Sequence, residues 1–110
     1  MSNLDSNTQK QIAGTILQQL GGNRFIAMTG AKQFACGEND KGHVYIVFKI
    51  GRNSNRVNYV KITLNGSDLY DTEYSWVTIR DIKVKSESSN IYNDMLRDDF
   101  ERATGMYTSL

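Results

Sequence analysis

Cys36 and His43 are the only cysteine and the only histidine of the chain. A thiol beside an imidazole can act as nucleophile and base, but the base needs a third group to orient it. The sequence offers no such group near the polar turn that the two residues flank, so a packed thiol and an incidental imidazole is the favoured reading. Two ligands of this kind are also too few for a structural zinc site, which takes about four. Asp68, Asp71 and Glu73 cluster near a turn and carry oxygen ligands of the type a hard cation prefers. Their spacing matches no calcium loop, and acids are ordinary in turns. Gly21, Gly22 and Gly30 read as turn formers, because the phosphate-loop pattern GxxxxGK[ST] is absent. No paired catalytic groups emerge, so the chain is read as non-enzymatic, with no catalytic residue, metal or cofactor assigned.

A second kind of chemistry is open to aromatic and basic side chains that share a surface. Tyr45 and Lys49 alternate on one candidate strand, and Tyr59 and Lys61 alternate on the next. Arg52 and Arg56 lie in the segment that joins them, and Lys41 lies just before the first. If the two strands pair, these seven residues form a face of the kind that binds single-stranded nucleic acid by base stacking and phosphate attraction. The segment Lys41-Gly42-His43-Val44-Tyr45-Ile46-Val47-Phe48 also looks like the central strand signature of RNA-recognition motifs at Lys41, Gly42, Tyr45 and Phe48. His43 and Val44 depart from it, and the surrounding order lacks the helix that such folds carry between their central strands. The plainer reading is a solvated sheet face on which tyrosines fill space, as many antiparallel sheets have.

Charge is uneven along the chain although the net charge is only +1. Residues 23–66 carry +5 and residues 67–110 carry −4. Asp94, Asp98, Asp99 and Glu101 make an acidic helix end, which suits either a solvated face or a basic partner. Protein binding therefore stands as the alternative function: a module that modulates another protein.

The elements that must position these groups follow from periodicity. Ile12, Ala13, Ile16, Leu17 and Leu20 fall on one stripe and predict a helix over residues 8–20, capped by Ser6 or Asn7 and ended by Gly21-Gly22. Gly14 is expected to allow a close approach. Residues 24–28 read as a short strand, followed by a bend before Phe34. Residues 43–50 alternate strongly, with Val44, Ile46, Phe48 and Ile50 on one face. Residues 57–64 place Val60, Ile62 and Leu64 on one face and Val57, Tyr59 and Lys61 on the other. Asn65-Gly66 is a turn signal. Residues 74–79 and 82–85 read as strands with Ile82 and Val84 inward, the serines at 86–89 as a helix cap, and residues 90–104 as a helix. Asp99 sits at that helix's apolar margin and calls for a polar partner. Met106, Tyr107 and Leu110 predict a tail that packs back.

The sum is one α+β domain, an antiparallel sheet of about five strands flanked by an N-terminal and a C-terminal helix. The expected core includes Ile12, Ile16, Leu20, Ile46, Phe48, Val60, Ile62, Leu96 and Phe100. At 110 residues with 39% apolar composition the chain can bury such a core. No apolar run approaches the roughly 20 residues of a membrane helix, and the polar start does not read as a signal peptide. A cytoplasmic protein without a membrane role is expected.

Four stretches carry a resemblance: residues 16–25, Met28-Thr29-Gly30-Ala31-Lys32, residues 64–71, and the ending from Leu96-Arg97-Asp98-Asp99-Phe100 through Thr104-Gly105-Met106-Tyr107-Thr108-Ser109-Leu110. Together they resemble a family of small uncharacterised proteins encoded by bacteriophages and prophages. The resemblance spans nearly the whole chain. It implies an accessory phage-type protein acting inside a bacterial host cell, with a host or phage protein as the partner under the alternative function, and it supplies no catalytic residues.

Overall fold

The structure, a computed structural model, describes residues 6–108. Helix α1 (Ser6–Leu20) is followed by a short helix α2 (Gly22–Thr29). Five strands come next: β1 (Lys32–Glu38), β2 (Val44–Lys49), β3 (Tyr59–Leu64), β4 (Tyr70–Val77) and β5 (Ile82–Ile91). A single 3-10 turn (Asn93–Met95) leads into helix α3 (Leu96–Thr104). The strands pair in sequence order, every neighbour antiparallel. This is the α+β fold with a terminal helix at each end that the sequence predicts, and the sheet is open.

The helices cover one face. Ile16, Leu20 and Phe25 pack with Leu96 and Phe100 against Ile46, Phe48, Val60 and Ile62, all fully buried. Each such side chain contributes about 1.5–3 kcal/mol of burial. The Phe25 ring meets Phe48 and Phe100 edge-on, with centroids 5.8 Å and 4.9 Å away. Ile12, expected in the core, is partly buried at its margin.

Several local expectations are overturned. Residues 24–28 are helical, not a strand: Phe25 and Thr29 lie one turn apart on the buried side, and the Thr29 hydroxyl donates to the Phe25 carbonyl. Gly30, in the left-handed region at φ 68°, ends the helix. The first strand is β1 instead. Val57 is buried, because Asn53 hydrogen-bonds both its N–H and its carbonyl and turns it inward ahead of β3. β4 starts at Tyr70, and β5 runs on through the serines to Ile91, which shortens the last helix to α3 and leaves Ile91 and Tyr92 outside it. Ile82 and Val84 point outward and are exposed. α1 is already helical at Asn7, which therefore does not cap it from outside. Gly14 faces open space. In the tail Thr108 is buried and Met106 half-buried, Tyr107 is exposed, and Leu110 lies outside the described residues.

β5 faces the helix layer with serines because the group opposite is polar. Asp99 of α3 accepts hydrogen bonds from Thr72 at 2.7 Å and Tyr74 at 2.8 Å, and pairs with Arg102 at 2.8 Å. Arg102 also donates to Ser88. Burial would raise the Asp99 pKa, but the bonds from Arg102, Thr72 and Tyr74 outweigh it and hold the carboxyl below its ordinary range. The same burial, beside that charge, pushes the Tyr74 phenol far up.

Candidate nucleic-acid interface

The uncovered face is read from strand register, since residues directly opposite share a face. One row runs Lys32, Lys49, Tyr59, Ser75, Val84 across the five strands. The next runs Ala35, Val47, Lys61, Glu73, Glu87. A third runs Gly37, Tyr45, Thr63, Asp71. Four of the predicted site residues, Tyr45, Lys49, Tyr59 and Lys61, therefore do lie on one open face. A shallow hollow of about 510 Å³ lies among Tyr45, Val47, Tyr59 and Lys61.

Their surroundings differ. Tyr45 sets the hydroxyl end of its ring against Gly37, so close that a Cβ there would sit 2.7 Å from the hydroxyl. Lys61 Nζ stands 4.7 Å from the centre of the same ring. The Tyr45 ring is thus already engaged by two neighbours, and Lys61 also has Glu73 opposite it. Tyr59 is half-buried, and burial, then Tyr45, then Glu73 raise its pKa, which keeps the ring neutral. Lys49 is exposed beside it.

The most unusual feature is the rung Lys32–Lys49. Like charges directly opposite each other in a sheet are destabilising. Neither lysine forms an ion pair with a described residue. Sequence reading missed Lys32, because the register shift between Lys32 and Ala35 that brings it opposite Lys49 leaves no signal in residue types.

Arg52 and Arg56 sit at the same end of the sheet, on the loop between β2 and β3. That loop is clamped from both sides. The Gly51 N–H donates to the Thr29 carbonyl at the end of α2, at 2.8 Å. Asn55 donates to the Ala103 carbonyl near the end of α3, at 2.9 Å. Arg56 adopts a left-handed φ of 54°, uncommon for a side chain of this size. It turns toward the helix layer, lining a polar hollow of about 490 Å³ with Lys85 and Arg102. Lys41 is at the opposite end, in the turn between β1 and β2, and does not join the others.

The fold thus sorts charge along the strand axis. Lys32, Lys49, Arg52, Arg56, Arg80, Lys83 and Lys85 gather at the end holding the β2–β3 loop and the β4–β5 hairpin tip, where they outnumber the acid Asp81. Glu38, Asp40, Asp68, Asp71, Asp94 and Asp98 gather at the other.

The remaining candidates are not brought together. Cys36 pairs opposite Ile46, while His43 lies against Gly66 of the next turn. Asp71 ties that turn to β5, accepting from Asn65 and the Asn90 N–H. Among the described residues no group of three or more metal-ligating side chains converges, and no helix is long and apolar enough to cross a membrane. Comparison with protein-family models, curated proteins and solved structures finds no match.

Proposed function

We propose that this chain is a non-enzymatic accessory protein that binds single-stranded nucleic acid at the basic end of its open sheet face. The observation that carries the reading is the Lys32–Lys49 rung beside Tyr59. Two unneutralised cations held side by side cost stability, and a phosphate between them turns the repulsion into attraction. Tyr59 offers a neutral ring next to that phosphate position, where a base stacks. Arg52, on the clamped loop, extends the charge along the backbone of the strand. Lys61 and Tyr45 border the site and hold each other, so they contribute less. The resemblance to phage and prophage proteins supports an accessory role in the bacterial cytoplasm.

The test is Tyr59→Ala in a fluorescence anisotropy titration with a labelled oligonucleotide. Loss of a stacked base weakens binding by about 1–3 kcal/mol. Tyr45→Ala has a smaller effect, because that ring is already covered. Equal affinity of Tyr59→Ala and parent would remove stacking from the account.

A second reading, a protein-binding module, is favoured by one specific observation: Ile79, Ile82 and Val84 expose apolar surface on the β4–β5 hairpin.

A further inference from the structure

The hairpin between β4 and β5 runs on past the last β3–β4 rung, Tyr59–Ser75. Its tip is closed by Thr78, whose N–H donates to the Asp81 carbonyl at 2.9 Å and whose hydroxyl accepts from the Asp81 N–H at 3.2 Å. Ile79 at that tip is fully exposed, and Ile82 behind it is 67% exposed. Arg80 follows Ile79 and Lys83 follows Ile82, with Asp81 between them. A closed turn presenting a bare isoleucine beside a cation has the form of a plug.

A matching hole lies at the other end of β5. A groove of about 470 Å³ between β5 and α3 is lined by Ile91, Tyr92 and Met95, with Glu87, Asp98 and the mutually paired Asp99 and Arg102 around it, a net acidic rim. Tyr92 and Met95 are more than half exposed. Apolar surface meets apolar surface, and Arg80 and Lys83 meet acids. The tip cannot reach its own groove. Ile82 and Ile91 are nine residues apart on one strand, about 30 Å at 3.3 Å per residue.

We infer that a second copy of this chain fills the groove, in a two-fold dimer that lays the two β5 strands side by side and antiparallel. Ser86 is midway in sequence between Ile79 and Asn93. An axis beside Ser86 therefore brings each tip to the other copy's groove at once, and a two-fold contact is self-complementary in this way. It also sets the basic end of one copy beside the acidic end of the other. β5 is interrupted by register shifts opposite Tyr74/Ser75 and Tyr70/Thr72, so side chains rather than a continuous backbone ladder make the contact. The inference rests on the hairpin tip and the groove alone and does not depend on nucleic-acid binding; Lys32 and Lys49, on β1 and β2, stay free.

Light scattering on a sizing column tests it. The parent should elute at twice the chain mass at high micromolar concentration. Ile79→Asp and Met95→Asp, both at exposed positions, should each elute at single-chain mass with unchanged circular dichroism. A parent that stays at single-chain mass would overturn the inference. So would variants that dimerise like the parent, or a parent that grows beyond two copies, which would mean an open head-to-tail contact.

Discussion

Asp99 and the Lys32–Lys49 rung show opposite treatments of charge in one sheet. Asp99 is buried, and three side chains donate to it. The two lysines are exposed and face each other, and no described acid answers them. The interior charge is satisfied within the fold, as buried charges must be. The surface charges are left for something outside it. Where a local rule is broken without internal compensation, function is the first place to look.

The comparison can be broken first at the helix that delivers Asp99. Leu96→Ala empties a fully buried position of α3 and should cost about 2–5 kcal/mol in denaturant unfolding. A midpoint equal to the parent's would mean that α3 is not held by that face. Next in size is Asp99→Asn, which weakens the acceptor for two buried hydroxyls and should cost about 1–3 kcal/mol. Its pH dependence carries a sign. The Asp99 pKa is lowered by folding, so its contribution is fully present above the ordinary value of 3.8 and is lost as pH falls through the lower folded value. Parent stability should drop in that acid range, and the Asn variant should show a shallower drop. The smallest effect sharpens the other side. Lys49→Glu replaces a like-charge rung by an opposite-charge one and should raise stability by about 0.2–1 kcal/mol while weakening oligonucleotide binding. Lower stability in this variant would show that the two lysines do not repel.

The two regions also differ in how far the sequence announced them. Asp99 is legible because an acid at the apolar margin of an amphipathic helix needs a partner, and the alternation of residues 43–50 and 57–64 sorts Tyr45, Lys49, Tyr59 and Lys61 onto one face, while which face the helices cover is set by packing between elements distant in sequence. The serines of β5 read as a helix cap because their reason for being in a strand, the Asp99 network opposite, comes from elements distant in sequence. The same holds for Lys32, whose neighbour depends on a register shift, and for Tyr45, whose ring is taken up by Gly37 across the hairpin. Residues 24–28 mislead because five residues with three large apolar side chains fit either a strand or a buried helical turn. Charge along the chain predicts a basic middle, but only the antiparallel order gathers cations from β1, β2 and β5 at one end.

The central claim is that the basic end holds phosphates, and salt dependence tests it most directly. Labelled single-stranded oligonucleotide is titrated with the protein at two salt concentrations. Lys32, Lys49 and Arg52 offer three charges on that face, so log affinity should fall against log salt with a slope of about −2 at most, at roughly 0.7 per phosphate contact. Lys49→Glu should make that slope shallower. Flat anisotropy at the lower salt, with folded protein at high micromolar concentration, would contradict the account.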